Sequence, residues 1–121
     1  MRFVLVDRIV VLEPGVRVEA VRRIPADEDY FQDHFPGFPV VPGVLLTEMM
    51  GQTAAKALDV ERRSRGKAML AKILSASFRR WVRPGDEVAL QAQLFFTFVP
   101  VDTFASDLRD PVLDAFLAGQ R

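Results

Sequence analysis

The sequence predicts an α+β domain in which one antiparallel sheet wraps a long apolar helix. Three observations carry this. Residues 44–58 are apolar on nearly every side of a helix, and a helix apolar all round is normally buried. Residues 87–99 alternate, with Val88, Leu90, Ala92, Leu94, Phe96 and Phe98 on one face and Glu87, Gln91, Gln93 and Thr97 on the other, the period of a half-buried strand. Residues 3–12 and 16–23 are two strand-like runs separated by Pro14-Gly15, which reads as a hairpin. Strands and an all-apolar helix must bury their faces against each other.

The elements follow in order. In residues 16–23, Val18, Ala20 and Arg22 alternate with Arg17, Glu19, Val21 and Arg23. Residues 25–33 carry four acids with Tyr30 and Phe31 and read as a loop with one short helical turn. Residues 35–42 hold Pro36, Gly37, Pro39 and Pro42, so they form neither helix nor central strand but a stiff, irregular loop. A helix follows from Gly43, with Pro42 suited to its first position. Residues 59–67 read as a charged loop, and residues 68–82 as a long strand with an irregularity at Ser75-Ala76-Ser77. Pro84-Gly85-Asp86 is a turn. Residues 103–109 read as a strand. Residues 110–119 have a helical look, with Asp110, Pro111 and Gly119 at the right places, yet a last strand is expected here because it would close a sheet edge.

At 121 residues the chain reads as a single domain, residues 1–121, and 50% hydrophobic content is ample for a core. Sixteen basic residues balance sixteen acidic ones, which argues against nucleic-acid binding. No cysteine is present and only one histidine, so neither a disulfide nor a metal site is expected. No apolar run is long enough to span a bilayer, and the N-terminus lacks a signal-peptide layout; a cytoplasmic location is the default expectation.

One constellation carries chemistry. His34 stands just ahead of the rigid loop that feeds the apolar helix, and Glu48 is the one carboxylate inside the apolar part of that helix. Histidine titrates near working pH and serves as a base. A carboxyl group buried among apolar residues holds its proton and serves as an acid. The helix start adds backbone N–H groups at Gly43 and Val44 that can hold a developing negative charge. Gly43 admits close approach to the backbone, and Pro36, Gly37 and Pro42 fix the loop. Gln52 lies one turn beyond Glu48 and is placed to hydrogen-bond it. Taken singly, a lone histidine is more often structural, and a lone helical glutamate more often solvated; the rigid loop and apolar setting count against both, together with the family resemblance that this stretch carries.

The run His34-Phe35-Pro36-Gly37-x-Pro39-x-x-Pro42-Gly43-Val44-Leu45-x-x-Glu48-x-Met50-x-Gln52 closely resembles the signature of the bacterial 3-hydroxyacyl-[acyl-carrier-protein] dehydratases, the FabZ-like family with a hot-dog fold. Phe78-Arg79 ahead of Pro84-Gly85-Asp86 resembles a second element of that family. The resemblance implies a curled antiparallel sheet around a central helix, and loss of water from a 3-hydroxyacyl thioester to give a trans-2-enoyl thioester. It implies His34 as base and Glu48 as acid, meeting across a dimer interface, one from each subunit. Glutamate rather than aspartate at position 48 favours plain dehydration over isomerisation. The implied partners are an acyl carrier protein and its acyl thioester, in a homodimer or a higher assembly such as a trimer of dimers. No cofactor is implied, since the substrate carries its own phosphopantetheine. Phe31, Phe38, Met49 and Phe78 are candidates for an acyl tunnel, with core packing the more frequent role of such residues. Arg79, Arg80 and Arg83 are candidates for carrier-protein contact, or simply a charged strand face. Relatives usually carry a further segment before Arg2-Phe3-x-Leu5-Val6-Asp7-Arg8, so a shortened start is also implied. Two rival readings are an acyl thioesterase of the same fold, which has no need of the His-Phe-Pro-Gly loop, and a non-catalytic acyl-binding subunit.

Overall fold

The computed structural model describes residues 1–62, 66–68, 73, 75–93, 98–100 and 111–119. Strands β1 (Arg8–Glu13) and β2 (Arg17–Arg23) form the expected hairpin, and β4 (Glu87–Gln93) joins β2 on its other side. All pairs are antiparallel, with Ile9 opposite Ala20, Ala20 opposite Leu90, and Val18 opposite Ala92. Those residues share the inner face of the sheet, as the alternation requires. The helix α1 (Gly43–Arg62) lies on that face, and Met49 and Ala57 join Val18, Ala20 and Leu90 in the core. The hairpin turn is pinned to the helix, since Gly15 N–H donates to the Ala57 carbonyl at 2.7 Å. A short 3-10 turn, Asp29–Gln32, interrupts the acidic loop and buries Phe31. Two three-residue strands, β3 (Gly66–Ala68) and β5 (Phe98–Pro100), pair with each other.

Several expectations are corrected. The helix runs to Arg62 rather than giving way to a loop at residue 59; no breaker stands before Gly66, and Lys56 and Asp59 are both buried. Residues 63–65 of the expected charged loop lie outside the described residues. The first strand starts at Arg8, not at residue 3, because Leu5 N–H is taken by the Gln52 side chain at 2.8 Å instead of by a neighbouring strand. Of the long strand expected over residues 68–82, residues 68, 73 and 75–82 are described; Ala68 ends β3 and pairs with Phe98, while residues 75–82 join no ladder. Val82 instead offers its carbonyl to Val41 N–H at 2.8 Å, so this segment pairs with the loop that feeds α1. In the alternating stretch, residues 94–97 lie outside the described residues, as does the strand expected over 103–109.

The tail is helix, not strand: α2 spans Pro111–Gly119. Pro111 takes the first helical position, which tolerates its missing N–H. Val112 and Leu113 are buried in the same core as Leu5, Val6 and Ile9, with Phe116 and Leu117 packed beside them. Residues spaced three and four apart lie on one helix face, so this amphipathic stripe against β1 outweighs the need to close an edge.

The sheet does not wrap α1 completely. Met49, Thr53, Ala54 and Ala57 are buried, while Val44 is 77% exposed and Met50 37%. Val44 and Met50, in the N-terminal half of α1, thus stay open. At the end of β2, Arg22 points to the inner face and is 9% exposed. Its Nη1 donates to Asp7 Oδ1 at 2.9 Å, and its Nη2 lies 3.7 Å from Glu28. A charge so deep requires such partners.

Candidate active site

The loop that presents His34 is tied at both ends. His34 N–H donates to the Tyr30 carbonyl at 3.0 Å, and the His34 carbonyl accepts from Val40 N–H at 3.0 Å. Between them Phe35 and Phe38 exchange backbone hydrogen bonds at 3.0 and 2.9 Å, with Gly37 at φ 75° in the left-handed region that glycine enters freely. The His34–Phe35 peptide bond is cis. The imidazole stacks on the Phe35 ring, centroids 4.1 Å apart. Beneath the loop, Tyr30 packs on Phe31 at 4.7 Å. Burial pushes the Tyr30 phenol above its ordinary value of 10.0, and the charges of Glu28 and Asp29 add to this against Arg22.

Pro42 sits one position earlier than expected. It precedes the helix, and its carbonyl accepts from Leu45 and Leu46 N–H at 2.9 and 3.3 Å. Gly43 and Val44 therefore lead the helix, ahead of its first internal hydrogen bond, where N–H groups have no partner within the helix. Gly43 is needed for a close approach, though of a protein group: a Cβ there would stand 3.2 Å from the Phe78 ring.

His34 and Gly43 line one cavity of about 540 Å³, together with Leu46, Phe78, Trp81 and Val82. Arg79 and Arg80 stand at the same cavity. Arg83 instead lies over the Phe38 ring, 4.9 Å from its centroid, and Phe38 meets Trp81 edge-on at 5.7 Å. Of the four tunnel candidates, Phe78 lines this cavity. Phe31 and Met49 are corrected to core residues, 9% and 1% exposed, because each points to the inner side of its element. Phe38 belongs to the surface cluster with Trp81. The sequence reading missed Trp81; a single tryptophan inside a basic segment was the signal available.

Glu48 is elsewhere. On a helix of 3.6 residues per turn it projects roughly 160° from Leu46 and roughly 140° from Gly43, away from the His34 cavity. Its Oε1 accepts from Gln52 Nε2 at 3.3 Å. The same amide donates to the Phe3 carbonyl at 3.1 Å, and its oxygen accepts from Leu5 N–H. Glu48 is half-buried rather than enclosed, since Gln52, tied to the N-terminal segment, covers only part of it. A single chain thus brings Gln52 to Glu48 and His34 to Gly43, but does not bring His34 to Glu48. Among the described residues no cluster of His, Cys, Asp and Glu could hold a metal ion, and no helix is long and apolar enough to cross a membrane.

A histidine loop folded over a helix N-terminus, with an antiparallel sheet packed on that helix, defines an α+β domain of the hot-dog class. The comparisons narrow this. The family model described as ApeI-like, ApeI dehydratase, matches residues 12–98. The chain belongs to this ApeI-like dehydratase family. Among curated relatives, the 3-hydroxyacyl-[acyl-carrier-protein] dehydratase FabZ of Chloroflexus aggregans is 50% identical over 93 residues, which is 76% of this chain and 65% of that protein. The protein of the same name from Ruminiclostridium cellulolyticum is 42% identical, covering 76% of this chain and 66% of the relative. That of Listeria welshimeri is 40% identical, with shares of 76% and 65%. The chain spans just under two-thirds of the length of the curated relatives it matches.

Proposed function

We propose that the protein removes water from a 3-hydroxyacyl thioester borne on an acyl carrier protein, giving the trans-2-enoyl thioester, as a step in fatty-acid or related lipid synthesis. The observation that carries this is the shared cavity of His34 and Gly43, a base beside the open end of a helix. The similarity to 3-hydroxyacyl-[acyl-carrier-protein] dehydratases supports it.

In this reading the thioester oxygen lies against the N–H groups of Gly43 and Val44, which hold its growing negative charge. His34 takes the C2 proton, the C2–H electron pair forms the double bond, and the C3–O bond breaks. Glu48 gives its proton to the departing hydroxyl, which leaves as water. Return of the proton from imidazolium to carboxylate resets the pair. Gln52 orients Glu48, while Pro36, Gly37 and Pro42 hold the loop. No resident cofactor enters these steps, since the substrate brings its phosphopantetheine.

Since His34 and Glu48 face opposite sides of α1, the pair is drawn from two subunits of a homodimer, alone or within a larger assembly. The exposed Val44 of α1 and the exposed Phe35 support a second copy as their cover. Arg79, Arg80 and Arg83 meet the acidic carrier protein or the pantetheine phosphate. The reading includes a cytoplasmic location.

The test is a trans-2-enoyl thioester offered in water, with enoyl absorbance and free thiol followed together. Hydration without thiol release is expected. His34→Ala and Glu48→Gln should each lower the rate by about 10²–10⁴-fold while the dimer persists. Thiol release, or full activity in either variant, would overturn the reading.

A further inference from the structure

The His34 cavity has a neighbour. A second cavity of about 430 Å³ lies along the same flank of α1, walled by Leu46, Met50, Ile73, Val88 and Leu90. The two cavities share Leu46, Phe78 and Val82. Leu46 and Val82 are half-buried, whereas Phe78 is 54% exposed. The edge of its ring rests on Gly43, 3.2 Å from where a Cβ would stand. Phe78 is therefore an aromatic partition propped on the first residue of α1, with the histidine on one side and an apolar chamber on the other.

We propose that Phe78 sets the acyl length the protein accepts: a chain anchored at Gly43 meets this ring first, and a longer chain reaches the second cavity only when the ring moves aside. The inference rests on the dehydratase reading for where the thioester sits. The occupant is an unbranched alkyl tail. Most of the chamber's wall is apolar; of its hydroxyls, that of Thr47 is committed to the Gly43 carbonyl at 3.2 Å, and Ser75 and Ser77 lie at exposed positions. An alkyl tail against the apolar side chains sheds water without giving up a hydrogen bond. The exposed ring has room to turn, whereas Leu46 and Val82 are held by the core beside them.

Trp81 is the only tryptophan in the chain and lines the His34 cavity, so its fluorescence reports occupancy. Saturated acyl-pantetheine thioesters of increasing length are titrated against the protein. In the parent chain, affinity should rise about fourfold per methylene and then level off where the tail meets Phe78. In Phe78→Ala the rise should continue for about three more methylenes, roughly 60-fold in total, with Phe78→Leu between the two. Adding Val88→Phe, which fills the second cavity, should cancel the extension. Identical length profiles in the parent and both Phe78 variants would overturn the proposal, as would absence of acyl-pantetheine binding at every length. Saturated ligands bind without reacting, so failure of the dehydratase chemistry would show separately, as absent enoyl hydration in a protein that still binds.

Discussion

Gln52 Nε2 donates to Glu48 Oε1 at 3.3 Å, and the same side chain holds the backbone of Phe3 and Leu5. One amide thus joins the N-terminal segment to the carboxylate of the central helix. Replacing it strips partners from two backbone groups at once. Gln52→Ala should cost about 2 kcal/mol, at about 1 kcal/mol per lost bond, read as a lower midpoint in chemical denaturation. If Gln52 orients the acid, the variant should also lose kcat with little change in KM. A fall in stability alone would make it only a strut.

Gly43 and Phe78 form a second coupled pair. A Cβ on residue 43 would sit 3.2 Å from the Phe78 ring, tighter than ordinary contact, so the ring must yield. Gly43→Ala should therefore reduce hydration activity and displace Phe78. In the double variant with Phe78→Leu, part of the loss should return, since contacting residues couple by about 0.5–3 kcal/mol. Additive losses would separate the two positions.

The tail offers a test of the fold. Leu113 is 0% exposed, in one core with Leu5 and Ile9. Leu113→Ala should destabilise the protein by about 2–5 kcal/mol, as measured by denaturant titration. Ala118→Ser, at an exposed position of the same helix, should change stability by less than about 0.5 kcal/mol. Equal effects would contradict the packing of α2 on β1.

Tyr30, the only tyrosine, gives a clean optical titration. Burial raises its pKa above 10.0, so the folded chain keeps a proton that the unfolded chain has lost. The stability this represents is fully present below about pH 10 and is lost as pH rises through the higher folded value. Phenolate absorbance should appear above pH 10 in the native protein and near it in denaturant. Tyr30→Phe should show a shallower fall of Tm with alkaline pH.

The local pattern made much of this legible. Alternation at Val88, Leu90 and Ala92 placed β4 and its inner face, and Pro36, Gly37, Pro39 and Pro42 marked the stiff loop before α1. Spacing alone put Gln52 beside Glu48. These features depend on residues near one another in sequence, where the periods of helix and strand apply. The family motif added the roles assigned to His34 and Glu48.

Other features were decided only in three dimensions. Leu5 found Gln52 rather than a strand, Val82 found Val41, and Pro111–Gly119 became a helix because β1 offered its stripe a surface. An all-apolar α1 did not reveal which side the sheet would cover, nor that His34 and Glu48 would lie on opposite flanks. The reason is physical. Periodicity fixes which residues share a face, but which face meets which partner depends on contacts between distant segments, and those exist only after the chain has closed on itself.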